Sequence, residues 1–207
     1  MGEHSAMNEI LFLRHAEPDD AGLYIGRGSN PSLSEKGRND AAGIAEVMAE
    51  TAPAVFVSSP LARALETIEP LAKKLGRRIE IVDDIAEMDF GEWEGLNWNQ
   101  IESQDGDFWR SWLDDPWTVK PPGGETLAEL QERVVAAVHD ILRRHHSSDI
   151  LISTHGGPMR TVIGYALSLS ASAYWSVGID YASLCRFRYE SHDILNLLQW
   201  NVPIVSK

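Results

Sequence analysis

Histidine and arginine side chains follow directly on short apolar runs at several places in the sequence. The run EILFL precedes Arg14 and His15, the run AVFV precedes the segment that contains Arg63, and the run ILIS precedes His155. A neutral imidazole is a nucleophile at physiological pH without a separate activating base. Arginine presents forked donors that match the oxygens of a phosphate group. These residue types together indicate phosphoryl transfer through a histidine.

Phosphoryl transfer places negative charge on the non-bridging phosphate oxygens, which fixed donors can stabilise. We expect Arg14, Arg63 and His155 to supply those donors. Gly156 follows His155 at a predicted helix start, where free backbone N–H groups also favour an anion. The sequence therefore predicts a phosphate cradle around His15, which we expect to be the nucleophile.

The leaving oxygen of such a reaction needs a proton, which a nearby carboxylic acid can give. Glu87 is the best placed candidate, in the loop after a third predicted strand, with Glu17 and Asp89 as alternatives. Arg27 lies between two glycines, and two interpretations stay equally open. It either reaches the substrate or is an exposed turn residue.

The elements that must position these residues are predicted from hydrophobic periodicity and from turn residues. Strands are expected at residues 9–13, 54–57, 78–82 and 150–153, and helices at 34–50, 60–75, 126–146 and 157–168. Two late strands, 182–189 and 193–200, are expected to join at a tight turn over Ser191–Asp193.

Alternating strands and helices predict an α/β fold of three layers, α/β/α, with a mostly parallel central sheet. Ligands bind beyond the carboxyl ends of parallel strands. The candidate residues follow such ends, so we expect them to meet at one edge of the sheet.

The chain has 207 residues, which favours a single domain over residues 1–207. Residues 1–7 are predicted to be a flexible tail. The segment 97–122 interrupts the alternation and is rich in tryptophan. We interpret it as a lid-like insertion with short helices.

The formal net charge of −13 argues against a nucleic-acid partner, because such binding needs a basic face. No apolar run is long enough to cross a membrane, and the single cysteine excludes an internal disulfide. A cytoplasmic location is expected. No spacing of histidine, cysteine and acidic residues suggests a metal site, so neither a metal nor another cofactor is predicted.

The motifs, in their order along the chain, resemble the histidine phosphatase superfamily, also called phosphoglycerate mutase-like. The resemblance spans roughly residues 9–165 and rests on LFLRHAE, NPSLSEKGRNDA, SSPLARALET, EMDFGEWEG, PPGGET and STHGG. It implies that His15 is phosphorylated, that Arg14, Arg63 and His155 bind the phosphate, and that Glu87 donates the proton. The usual glycine after the nucleophile is replaced by Ala16.

Two segments, GLYIGRGSNPSLSEKG and FWRSWLDDPWTVKPPGGETL, resemble the α-ribazole phosphatase branch of this family. The expected function is hydrolysis of a small phosphate ester, with α-ribazole 5'-phosphate as a candidate substrate. The alternatives are mutase-type phosphoryl transfer and a non-catalytic phosphate-binding module. A homodimer through the late strands is left open.

Overall fold

The fold is described from a computed structural model, over residues 8–190 and 194–205. The predicted tail 1–7 and the predicted turn at 191–193 lie outside the described residues. The described part contains one mixed sheet with strands in the order β3-β2-β4-β1-β5-β6. Its strands are β1 Asn8–Arg14, β2 Val55–Ser58, β3 Ile79–Ile81, β4 Ile150–Thr154, β5 Ser183–Glu190 and β6 Ile194–Pro203.

The first four strands in the sheet order are parallel, and β5 and β6 are antiparallel to their neighbours. The helices are α1 Glu35–Met48, α2 Ala62–Leu75, α3 Trp98–Asp114, α4 Leu127–Arg144 and α5 Gly156–Leu167, and short 3₁₀ turns span Asp83–Ile85, Gly91–Trp93 and Ala171–Ser176. One core cluster joins the sheet to α1 and α2, and a second joins it to α3, α4 and α5. The predicted three-layer α/β fold with a mostly parallel sheet is confirmed.

Local sequence explains where the helices begin and end. The Ser34 side chain caps α1 by accepting from the Gly37 N–H, and Thr126 forms a reciprocal capping box with Glu129 at the start of α4. Gly76 ends α2 with a left-handed backbone (φ +63°), which glycine adopts without steric cost. The predicted start of α2 at Pro60 is two residues early, because the backbone is still extended at Leu61.

The insertion 97–122 is built around α3, whose two halves meet at a non-helical residue, Asp105 (φ −155°, ψ 83°). Trp109 and Trp112 are buried, and their rings stack with centroids 5.3 Å apart. Trp98, by contrast, is 54% exposed. The insertion is therefore anchored by aromatic packing on the face of the sheet that α4 and α5 also cover.

The edge strand β6 carries exposed Ile194 and Trp200, and its pairing with β5 is irregular near Arg186. The homodimer through the late strands stays a prediction. In the described ranges, no helix combines the length and the apolar character that a membrane crossing requires.

Candidate active site

The carboxyl ends of β1 and β4 bring two histidines together. The strands are parallel neighbours in which Arg14 lies opposite Thr154, and the His15 N–H donates to the Thr154 carbonyl oxygen (2.9 Å). The ring centroids of His15 and His155 are 5.0 Å apart. Residues that are far apart in the sequence thus meet at the predicted edge of the sheet.

His15 is 4% exposed, and its Nδ1 lies 2.7 Å from the carbonyl oxygen of Ala16. A carbonyl oxygen only accepts, so the ring hydrogen sits on Nδ1 and the lone pair on Nε2. Burial, followed by the charges of Arg14 and Arg63, holds the pKa of His15 well below the usual value. The ring is therefore neutral at physiological pH, in the state that a nucleophile needs.

His155 is completely buried, and its Nε2 lies 2.8 Å from the Ser59 hydroxyl. Its Nδ1 is buried with no hydrogen-bond partner among the described residues. Burial, then the charge of Arg63, lowers its pKa well below the usual value, so this ring is neutral too. When Ser59 donates to Nε2, Nδ1 carries the hydrogen and can donate to a bound anion.

Arg63 lies in the first turn of α2 and is only 1% exposed. Its Nη atoms donate to the carbonyl oxygens of Ile25 (3.2 Å), Gly26 (2.9 Å) and Ser29 (3.1 Å). A guanidinium has five N–H donors, so donors remain beyond these three bonds. Arg63 thus fixes the loop 25–29 while it places positive charge beside His15.

Arg14 is fixed from two sides. Its Nη1 donates to the Ile179 carbonyl oxygen (2.6 Å), and its guanidinium carbon lies 3.9 Å from the centre of the Tyr181 ring. Its Nε is buried with no partner among the described residues. Burial lowers the pKa of both Arg14 and Arg63, so an anion between these desolvated cations would be favoured.

Glu87 is 9% exposed, and its carboxylate lies at the start of α5. The carboxylate accepts from the Gly157 N–H (3.1 and 3.2 Å) and from the Met88 N–H (2.8 Å). A Cβ at position 157 would lie 2.1 Å from Glu87 Oε1, so only glycine permits this approach. Glu87 and Gly156 both line the cavity that contains His15.

The cavity itself has a volume of about 160 Å³. Its lining comprises the predicted residues Arg14, His15, Arg63, Glu87 and Gly156, together with Pro18, Leu23, Tyr24, Ile25, Phe90, Arg160 and Tyr181. Three arginines and one glutamate make this a positive site on an acidic protein. The cavity suits a phosphate group with a small part of its ester.

Two predicted site residues, His155 and Arg27, are not among those that line the cavity, although the His155 ring lies 5.0 Å from that of His15. Arg27 is exposed and is not among the residues that line the cavity, although its N–H donates to Met88 O (3.1 Å). Its contact with substrate therefore stays a prediction. Ala16 is completely buried in the core cluster with α1 and α2, so its methyl group does not narrow the cavity.

The insertion 97–122 supplies none of the described cavity lining. It supports the cavity indirectly, because Trp109 and Trp112 make edge contacts with Tyr24, a lining residue. Phe90, which also lines the cavity, packs against Trp112. A lid function for this segment stays a prediction.

Several contributors were not predicted. Tyr181 and Arg160 line the cavity, and Ser59 contacts His155. Ser59 and Arg160 lie next to recognised motifs, which is the signal that could have identified them. Across residues 8–190 and 194–205, no cluster of three or more histidine, cysteine or acidic side chains could hold a metal ion.

The site therefore combines two neutral histidines with an arginine-lined cavity at the carboxyl ends of parallel strands. The family model of the histidine phosphatase superfamily, branch 1, matches residues 10–203. The chain belongs to this superfamily. The resemblance inferred from the motifs is thereby confirmed.

Known relatives of the chain include phosphatases. It is 31% identical to phosphoserine phosphatase 1 of Hydrogenobacter thermophilus over 179 residues, which is 86% of this chain and 84% of that protein. The chain spans about half the length of three mycobacterial relatives that are 32% identical to it. These similarities support a hydrolase of this superfamily and leave the substrate unassigned.

Solved structures agree on the fold. A mycobacterial glucosyl-3-phosphoglycerate phosphatase in complex with inorganic phosphate superposes with a TM-score of 0.84 at 25% identity, covering 96% of this chain and 100% of that one. The α-ribazole phosphatase of Shigella flexneri superposes with a TM-score of 0.83 at 21% identity, covering 96% of this chain and 100% of that one. The second likeness shows the fold alone.

Proposed function

We propose that the protein is a metal-independent phosphomonoesterase that hydrolyses a small phosphorylated metabolite through a phosphohistidine at His15. One observation carries the proposal. The bond from His15 Nδ1 to the Ala16 carbonyl oxygen leaves the lone pair of Nε2 free, inside a cavity lined by Arg14, Arg63 and Glu87.

The reaction has two steps that share one phosphoryl group. Nε2 of His15 bonds to phosphorus while the bond from phosphorus to the ester oxygen breaks, and protonated Glu87 gives its proton to that oxygen. Glu87, now a carboxylate, then accepts a proton from water as the water oxygen bonds to phosphorus and the bond from phosphorus to Nε2 breaks. Inorganic phosphate leaves, and His15 returns to its neutral form.

The charge that develops on the phosphoryl oxygens is stabilised by donors already in place. Arg14 and Arg63 are fixed by carbonyl oxygens, and the Nδ1 of His155 is buried and unpaired among the described residues. Donors held in advance need little reorganisation when charge develops. This favours catalysis over simple phosphate storage.

The test is hydrolysis of p-nitrophenyl phosphate in the presence of EDTA. His15→Ala should lower kcat/KM by at least ~10³-fold, as expected for loss of a nucleophile. His145→Ala is the matched control, because His145 pairs with Glu80 of the outer strand β3 and does not line the cavity. In the wild type, a rapid quench should show a phosphoryl group on His15 by mass spectrometry. Activity that requires a metal, or that survives in His15→Ala, would refute the proposal.

The substrate is addressed by a panel of phosphomonoesters. α-Ribazole 5'-phosphate, O-phosphoserine and glucosyl-3-phosphoglycerate represent the branch indicated by the motifs and the substrates named for relatives. A hundredfold preference in kcat/KM equals about 2.7 kcal/mol of transition-state discrimination and would identify one of them. An assay with 3-phosphoglycerate and a bisphosphoglycerate primer distinguishes mutase activity.

A further inference from the structure

A buried ion pair lies behind the loop that carries Glu87. Arg133 lies on α4, and Glu125 lies just before the start of that helix. The two side chains form a forked pair, in which Arg133 Nη2 donates to Glu125 Oε1 (2.5 Å) and Arg133 Nε donates to Glu125 Oε2 (3.0 Å). Their side chains are only 15% and 12% exposed. A pair this well shielded from water is costly to bury unless further hydrogen bonds satisfy it.

The further hydrogen bonds of this pair all go to backbone groups within residues 84–89, the segment that contains Glu87. Arg133 Nη1 donates to the carbonyl oxygens of Asp84 and Ala86, both at 2.9 Å. Arg133 Nη2 donates to the carbonyl oxygen of Glu87 itself, also at 2.9 Å. The guanidinium therefore holds three carbonyl groups within four consecutive residues.

Glu125 completes the arrangement from the other side. Its Oε1 accepts from the Asp89 N–H (2.8 Å), and its own N–H donates to the Asp89 carbonyl oxygen (3.0 Å). The loop is thus fixed before Glu87 by Arg133 and after it by Glu125. Neither residue is among those that line the cavity.

We infer that Arg133 and Glu125 are a positioning pair for the proton donor. They hold the main chain at 84–89 so that the Glu87 carboxylate sits against the Gly157 N–H and faces the leaving oxygen. The inference rests on the proposed role of Glu87 in the reaction. Neither residue of the pair exchanges a proton or touches the substrate.

Such a role predicts sensitivity to the leaving group. Displacement of a general acid should lower kcat/KM for esters whose alcohol leaves poorly without a proton. It should have little effect on p-nitrophenyl phosphate, because p-nitrophenolate leaves without one. The comparison uses kcat/KM, which reports the step that forms the phosphohistidine. Phenyl phosphate and p-nitrophenyl phosphate are the two probes, because their ring and phosphate group are alike.

The variants are Arg133→Lys and Glu125→Gln in the full chain. Each should lower kcat/KM for phenyl phosphate by about tenfold or more, a partial loss of the 10²–10⁴-fold contribution of a general acid. The value for p-nitrophenyl phosphate should change by less than about threefold. Arg143→Lys is the matched control, on the same helix with an exposed partner, Asp140; it should leave both values unchanged.

The ratio of the two kcat/KM values, measured on one preparation, does not depend on the fraction of the protein that is folded. A ratio that stays at the wild-type value in both variants overturns the positioning role, however much total activity is lost. Glu87→Gln separates the two proposals. If Glu87→Gln leaves the ratio unchanged, the assignment of Glu87 as the acid has failed. If Glu87→Gln shifts the ratio but Arg133→Lys and Glu125→Gln do not, only the positioning inference has failed.

Discussion

The Thr67 hydroxyl oxygen accepts a hydrogen bond from the Ala16 N–H (2.9 Å) and donates to the Arg63 carbonyl oxygen (2.6 Å). One buried hydroxyl on α2 therefore links the residue after His15 to Arg63, and both His15 and Arg63 line the same cavity. The Ala16 carbonyl oxygen lies 2.7 Å from His15 Nδ1, so the bond from Thr67 holds a residue that contacts the His15 ring.

Replacing Thr67 with valine should destabilise the protein by about 1–3 kcal/mol, because the buried N–H of Ala16 loses its acceptor. It should also lower kcat, since the chain beside His15 loses its link to α2. Urea unfolding and steady-state kinetics measure the two effects. Thr67→Ser keeps the hydroxyl and should retain most of both properties; equal behaviour of the two variants would contradict this account.

The start of α5 provides a test of the Glu87 geometry. Gly157→Ala places a methyl group where Glu87 Oε1 now lies, so it should displace the carboxylate and reduce kcat/KM for phenyl phosphate by about tenfold or more. Gly164→Ala is the control in the same helix, since a Cβ there meets only the Gln131 Nε2 atom, at 3.6 Å. It should retain activity and stabilise the protein by up to about 1 kcal/mol. Equal activities of the two variants would show that position 157 needs no glycine.

The contact of Arg14 with the Tyr181 ring predicts an effect on phosphate affinity. Tyr181→Leu removes the ring face and should weaken competitive inhibition by inorganic phosphate by about 2- to 30-fold, equivalent to 0.5–2 kcal/mol for a cation–π contact. Tyr181→Phe retains the ring and should bind phosphate nearly as well as the wild type. An inhibition constant that moves equally in both variants would assign the effect to the hydroxyl group instead.

The two buried histidines predict how stability depends on pH. The pKa values of His15 and His155 in the folded protein are held well below the 6.5 of a free histidine. At a pH between the folded and the unfolded pKa value of either residue, the unfolded chain therefore binds protons that the folded chain does not. The free energy of unfolding is therefore highest above pH 6.5 and falls as the pH drops below it. Each histidine contributes at most about 1.4 kcal/mol per pH unit.

Urea unfolding at pH 7.5, 6.5 and 5.5 measures this slope. His15→Gln removes one of the two groups and should make the slope below pH 6.5 visibly shallower than in the wild type. A slope identical to that of the wild type would mean that His15 is protonated equally readily in the folded and unfolded chains.

Much of the fold was predictable because local signals agreed with one another. The apolar runs that became β1 and β4 have little polar alternation, as strands buried on both faces should. Ser34 and Gly76 marked the start of α1 and the end of α2 correctly. Arg14, Arg63 and His155 were placed near His15 by one rule, that parallel strands present their carboxyl ends at the same edge.

The same rule explains what was missed. Tyr181 precedes β5, an antiparallel strand that begins at this edge, so a search restricted to carboxyl ends passes over it. The contacts of Arg133 and Thr67 depend on how helices are rotated against the sheet, which periodicity does not specify. Arg133 in particular lies on a helix where a lone arginine is typical of an exposed face, and only the structure shows the carbonyl groups it holds.

The pairing of β1 with β4 also has a consequence for how the molecule folds. Arg14 can lie opposite Thr154 only after the whole intervening stretch, with α1, α2, α3 and α4, has been made, and loop closure over such a distance is slow. His15 therefore meets His155 late in folding, when β1 and β4 pair at the centre of the sheet. During synthesis, the cavity around His15 can form only once β4, which begins more than a hundred residues after His15, has been made.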